Sequence, residues 1–291
     1  MKKTILLLAM LQMFAISLFA DGTTTKNYNF GTVKKITAGS IYEIEVTEGH
    51  GKEIKIVMDE YFEEYIEVKY LQGELILGMK TNLKINKKAN GGVKVYLEMP
   101  TIEEIELSGA AKLTASGNFR THELDIELSG ATSVKGLEIS GRELSIDCNG
   151  ASSVSITGNF SNKIETDASG ASNVTINGDS DELEMEASGA SNIHVTGKHK
   201  YTQSSCSGAS TIKLEGSTGY FKSETSGASS LKAQDYTAKD GYAEVTGASN
   251  AKIRCTGDLK IMVSKMSKLT HYGNPNITNI DRNSNIKKGD D

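Results

Sequence analysis

Ser169-Gly170-Ala171-Ser172-Asn173-Val174-Thr175-Ile176-Asn177-Gly178 is followed closely by Ser188-Gly189-Ala190-Ser191-Asn192-Ile193-His194-Val195-Thr196-Gly197, nearly the same decapeptide again. The Ser-Gly-Ala triplet also stands at 108 to 110, 129 to 131, 207 to 209 and 226 to 228, with Asn149-Gly150-Ala151 and Thr246-Gly247-Ala248 as variants. The central glycines fall at 109, 130, 150, 170, 189, 208, 227 and 247, a step that hardly varies. A near-fixed period of this length is the signature of a solenoid. About eight turns are expected.

Aligned on the glycine, the turns reveal a pleat. Four residues earlier stand Ile105, Ile126, Ile146, Thr166, Met185, Ser204, Ser223 and Ala243; two earlier stand Leu107, Leu128, Cys148, Ala168, Ala187, Cys206, Thr225 and Val245. Apolar and polar positions alternate, as a strand with one buried face requires. A second apolar pair follows the corner, for example Val154 and Ile156, or Ile212 and Leu214, and a second glycine often closes that strand. The predicted fold is all-β, a right-handed parallel β-helix of 19–21-residue turns. Glycine supplies the dihedrals that so tight a bend demands, and the alanine behind it is expected to let the walls approach. Ser152, Ser172, Ser191, Ser210, Ser229 and Ser249 form one column, with Ser153, Asn173, Asn192, Thr211, Ser230 and Asn250 beside it. Both are expected to pair hydroxyls and amides between turns. One active site does not need eight copies, so the repeated serines read as corners rather than nucleophiles.

Outside the repeat, the chain divides readily. Residues 1–20 read as a signal peptide, with Lys2 and Lys3 ahead of an apolar run from Ile5 to Ala20. Residues 21–100 read as an N-terminal β cap, its alternating segments 41–46, 53–57, 65–70, 74–77 and 93–97 including a tight hairpin at Gln72-Gly73. The solenoid occupies 101–280, ending in a degenerate corner at Ser264-Lys265-Met266-Ser267, and 281–291 reads as a disordered tail. After signal cleavage the chain is expected to be exported, periplasmic or on the cell surface, and not an integral membrane protein. No C-terminal segment is long enough for a membrane barrel, so self-export is not expected.

Composition narrows the function. A net charge of −5 gives no basic footprint, which argues against nucleic acid as a partner. The three cysteines are read as buried and unpaired. Cys148 and Cys206 share a repeat position three turns apart, roughly 14 Å at about 4.8 Å per turn, beyond disulfide reach, and Cys255 has inward parity. His194 and His199 are expected at the surface, and no phosphate loop, dinucleotide fingerprint or zinc motif is present.

One polar column stands out. Three residues before the corner glycines are Glu106, Glu127, Asp147, Asp167, Glu186, Ser205, Glu224 and Glu244, with Asp125, Glu165 and Glu184 on the neighbouring outward column. Like charges on adjacent strands repel. The stripe is therefore a solvated face, or a site for a divalent cation such as calcium, or a dock for a basic partner. A catalytic pair would be expected to interrupt the repeat and bring long loops, so a non-catalytic reading is preferred over a polysaccharide-degrading enzyme. Tyr201, Tyr220 and Tyr236, each near a connection, are expected to be exposed and available for stacking on a glycan.

The strand set Ile41 to Leu77 with Gly73-Glu74-Leu75-Ile76, then Met99-Pro100, Ile105-Glu106-Leu107-Ser108-Gly109-Ala110, the repeated corners and Tyr272-Gly273-Asn274-Pro275 together resemble the GIN-domain family, the autotransporter adhesin heads of exported bacterial proteins common in Bacteroidetes. The resemblance implies a β-solenoid with surface or adhesive associations. An adhesive surface protein is expected to bind a glycan, matrix or envelope protein through a flat face of the solenoid. It supplies no catalytic residue and no cofactor. A periplasmic structural module is the alternative.

Overall fold

Parallel register carries the periodicity of the sequence into three dimensions. In the computed structural model, which describes residues 22–80, 92–279 and 285–290, Ile105 pairs with Ile126, Ile126 with Ile146, Ile146 with Thr166 and Thr166 with Met185. The column continues through Ser204, Ser223 and Ala243 to Ile261. On the other side of the corner, Leu113, Val134, Val154, Val174, Ile193, Ile212, Leu231, Ala251 and Leu269 stack in the same way. Both columns are buried, so the interior is a continuous stack, apolar except at Thr166, Ser204 and Ser223, inside a β-solenoid of about 9 turns. The expected signal peptide lies outside the described residues.

The additional turn lies at the N-terminus. Lys35–Ala38 pairs parallel with Glu104–Leu107, and Tyr42–Glu48 pairs parallel with Lys112–Ser116. Between them Ser40 takes φ +66°, and its carbonyl accepts the N–H of Ala110 at 2.7 Å. Ser40 thus occupies the place of a corner glycine without the Ser-Gly-Ala spelling. Above this turn Lys35–Ala38 and Tyr42–Glu48 still pair parallel, with Glu74–Leu77 and Val93–Met99, and beyond these the pairing becomes antiparallel. Thr23–Asn29 runs against Glu53–Asp59, and Ile66–Leu71 against Glu74–Met79 through the Gln72-Gly73 turn, with φ +51° and +91°. These strands shield the upper end of the core, where an open solenoid would expose strand edges. Asp59 caps the short 3₁₀ turn Glu60–Phe62 by accepting the N–H of Tyr61 at 2.9 Å.

At each corner the chain is held backbone to backbone. The Ala131 N–H donates to Gly109 O at 2.7 Å, Ala151 to Gly130 and Ala171 to Gly150 at 2.7 Å, and the series runs on to Ala248 and Gly227. The corner alanines themselves face solvent. It is the glycines that meet: a Cβ on Gly170 would lie 2.5 Å from Gly150 O, and the φ of +69° belongs to the left-handed region. The serine after each alanine is the buried clamp. Ser191 Oγ reaches Ser188 O at 2.8 Å and Ala168 O of the preceding turn at 2.9 Å; Ser210, Ser229, Ser249 and Ser267 repeat the arrangement. The expected side-chain pairing in this column occurs between Ser152 and Ser172, 3.2 Å apart, whereas the later serines bind carbonyls. In the neighbouring column Asn192 donates to Asn173 at 3.1 Å.

Toward the C-terminus the interior positions shrink to Ser204, Ser223 and Ala243, and larger groups fill the space. Phe221 and Tyr236 enter the core, and the Tyr236 hydroxyl meets Thr202 Oγ1 at 2.7 Å. Tyr236, expected at the surface, is 0% exposed. The register shift between Lys213 and Glu215 against the strand Ser230–Val245 carries it inward. All three cysteines are buried and unpaired. Residues 286–288, expected within a disordered tail, form a strand alongside Lys268–Tyr272. Their polar sequence hides a pairing that the free edge of that strand supplies.

Candidate functional site

Glu106, Glu127, Asp147, Asp167 and Glu186 stand in direct register on successive turns. Ser205 interrupts the column before Glu224 and Glu244. The strand alternation that buries Ile126 or Ile146 necessarily turns these acids outward. The second outward column is Glu104, Asp125, Ser145, Glu165, Glu184, Gln203 and Lys222. Partial burial, then the charges of Glu186 and Asp147, hold the Asp167 carboxyl above the ordinary aspartate range; partial burial and Glu104 do the same at Asp125.

Few cations answer this charge. Lys163 sits between Glu165 at 2.8 Å and Glu184 at 2.6 Å, and these bonds raise its own pKa. Lys35 pairs with Glu104 at 2.6 Å and Lys222 with Glu224 at 3.0 Å. A shallow depression of about 270 Å³ follows the column, lined by Asp147, Asn149, Asp167, Glu186 and Ser205. Calcium takes six to eight oxygens at about 2.3–2.6 Å, whereas strand spacing sets successive acids about 4.8 Å apart. Among the described residues no group of three acidic, histidine or cysteine side chains is arranged to hold one metal ion.

Tyr201 and Tyr220 stack with ring centroids 5.9 Å apart and planes within 3°. One face of each ring is covered by the other, and the Tyr201 hydroxyl donates to Gln203 Oε1 at 3.2 Å. His194 is partly exposed and 3.3 Å from Glu215. His199, expected at the surface, is buried, with Nδ1 2.8 Å from Ser180 Oγ. The Ser180 hydroxyl also donates to Glu182 O at 2.7 Å. With both groups buried, the pair fastens one connection to the next.

Sequence reasoning missed a second surface feature. The connections of the early, longer turns form a groove of about 840 Å³, lined by Arg120, His122, Ser140, Gly141, Arg142 and Ser161 among others. Arg120 pairs in register with Ser140, and the Arg142 N–H donates to His122 O at 2.9 Å, which sets the two arginines on adjacent turns. The wider glycine spacing of these turns, and the placing of Arg120 and Arg142 about one period apart in a chain with few arginines, were the available signals.

A family model described as "Putative auto-transporter adhesin, head GIN domain" matches residues 32–178 and 161–275. No curated protein matches the chain. Among solved structures, a "putative adhesin" from Parabacteroides distasonis is similar, with 16% identity, TM-score 0.56, and 92% of this chain and 97% of that one covered. A "putative adhesin" from Parabacteroides merdae aligns at 15% identity and TM-score 0.48 over 93% and 97% of the two chains. A "Putative lipid binding protein" from Parabacteroides distasonis aligns at 14% and 0.45 over 93% and 98%. At 16% identity the likeness to the first of these is one of fold.

Proposed function

Because the chain belongs to the auto-transporter adhesin head, GIN-domain family, we propose that it is an exported, non-catalytic binding module that presents the outer faces of a rigid solenoid to a glycan, matrix or cell-envelope partner. The observation that carries this reading is the corner ladder. Backbone bonds such as Ala131 to Gly109 and Ala190 to Gly170, each 2.7 Å, fix every turn on the last. Surface side chains are thereby held in columns, and a preorganised surface loses little entropy when it binds. Among the described residues the connections between strands of the repeat are short. Among the described residues no helix is long and apolar enough to cross a membrane.

Labelling intact cells of the source organism with a membrane-impermeant amine reagent tests the address. A labelled chain, with its surface lysines modified, is the expected outcome. Complete protection, with labelling only after outer-membrane permeabilisation, would replace the adhesive reading with that of a periplasmic structural module. Amine labelling is preferred to protease shaving because the backbone of a fully paired solenoid resists cleavage even where it is accessible.

A further inference from the structure

The groove over the early turns gathers two of the few arginines of the chain. The molecule carries a net charge of −5, and Arg120, His122 and Arg142 line one depression of about 840 Å³ together with Glu138, while Glu123 and Glu143 stand against His122 and Arg142 from outside the lining. That volume falls within the roughly 300–1,000 Å³ typical of small-molecule sites. Arg142 is engaged by Glu143. The Arg120 guanidinium has no hydrogen-bond or ion-pair partner among the described residues, while its backbone lies in the strand ladder and its carbonyl accepts from Thr101 Oγ1 at 2.7 Å.

The rest of the lining mixes small polar side chains with Phe119 and Ile139. Asn118, Thr121, Ser140 and Ser161 supply neutral donors and acceptors, and Gly141 and Gly158 leave backbone uncovered. Gly141 marks a constriction where a side chain would intrude: a Cβ there would lie 3.0 Å from Thr121 O and 3.3 Å from Phe160 Cε1. Guanidinium groups match planar oxyanions two bonds at a time.

We propose that this groove binds an anionic saccharide, its carboxylate or sulfate engaged by Arg120 and Arg142 and its hydroxyls by the Ser, Thr and Asn side chains around them. The inference rests on the reading of the chain as a binding module and names the ligand class and the site. The acidic columns act in concert with it, since they repel the polyanion elsewhere and confine it to the groove. His122 Nδ1 lies 3.3 Å from Glu123.

The test is calorimetric titration of the full mature chain with polygalacturonate (carboxylate only), dextran sulfate (sulfate only) and neutral dextran. Binding to at least one polyanion is expected, weakening several-fold between 50 and 300 mM salt as charges are screened, with no binding to dextran. The preferred polymer identifies the oxyanion. Arg120→Gln with Arg142→Gln is expected to weaken binding at least tenfold while leaving the thermal midpoint unchanged, because both side chains are exposed. Lys232→Gln with Lys252→Gln removes the same charge elsewhere and is expected to leave affinity unchanged. The proposal is overturned if neither polyanion binds, or if the arginine variant binds as wild type does, or if both double variants weaken equally. Surface labelling without polyanion binding removes the groove alone; binding without labelling removes the surface address alone.

Discussion

His199 Nδ1 lies 2.8 Å from the hydroxyl of Ser180 and 3.2 Å from its backbone N–H, one turn away in the stack. The Ser180 hydroxyl donates to Glu182 O at 2.7 Å, the Ser180 N–H points at Nδ1, and Nε2 is buried without a partner among the described residues. Protonating the ring would place a charge in the core.

Burial accordingly lowers the His199 pKa from 6.5 to about 4. The unfolded chain takes the proton first, so this group's contribution is constant above about pH 6.5 and stability is lost as pH falls toward about 4. The loss is at most about 3 kcal/mol. Urea unfolding between pH 7.5 and 4.5 is expected to show the decline, and His199→Asn to flatten it. A slope unchanged in the variant would assign the acid sensitivity elsewhere.

The acidic columns have the opposite sign. Asp167 has a raised pKa, so the folded state binds its proton more readily and the penalty on stability is relieved on acidification. Asp167→Asn is expected to stabilise the chain at pH 7 by about 0.5 kcal/mol, the scale of a like-charge pair on neighbouring strands. The gain should shrink in high salt. Calcium is expected to raise the melting temperature no further than sodium chloride at matched ionic strength; a clear excess would establish coordination on the ladder.

Gly170→Ala is expected to cost at least about 2 kcal/mol, combining the left-handed backbone penalty with displacement of the Gly150 carbonyl. Ala171→Ser, one residue later and facing solvent, should be close to neutral. Equal effects in chemical denaturation would show that the corner does not depend on glycine contact.

Ser210→Ala removes the hydroxyl that reaches Ser207 O at 2.6 Å and Ala187 O at 2.9 Å. The expected loss is about 1 kcal/mol, the usual net value of one buried hydrogen bond. Ser207→Ala, on the outer side of the same corner, serves as the comparison and is expected to cost little.

The fold was legible because its strongest signal, Ser-Gly-Ala, records a backbone necessity that recurs at every turn. Ile105, Ile126 and Ile146 in one column and Val154 and Val174 in another could be placed from spacing alone. The first turn was not legible, because Ser40 adopts the corner conformation without glycine. Tyr236 and His199 defeated parity reasoning for a related reason: in the connections, the alternation that governs the strands is broken by register shifts and by space left over from small neighbours. The groove escaped notice because Arg120 and Arg142 belong to different turns, and only the stacking makes them neighbours. The acidic column was placed residue by residue, since it lies on regular strands.

The ladder from Ala131 to Gly109 and onward has a consequence for how such chains change over generations. Each turn is bonded only to the one before and the one after, so a whole turn can be duplicated or lost between two corners without disturbing the packing at either end. Length, and with it how far the distal groove or face stands from whatever holds the base, is therefore open to selection in steps of about 4.8 Å.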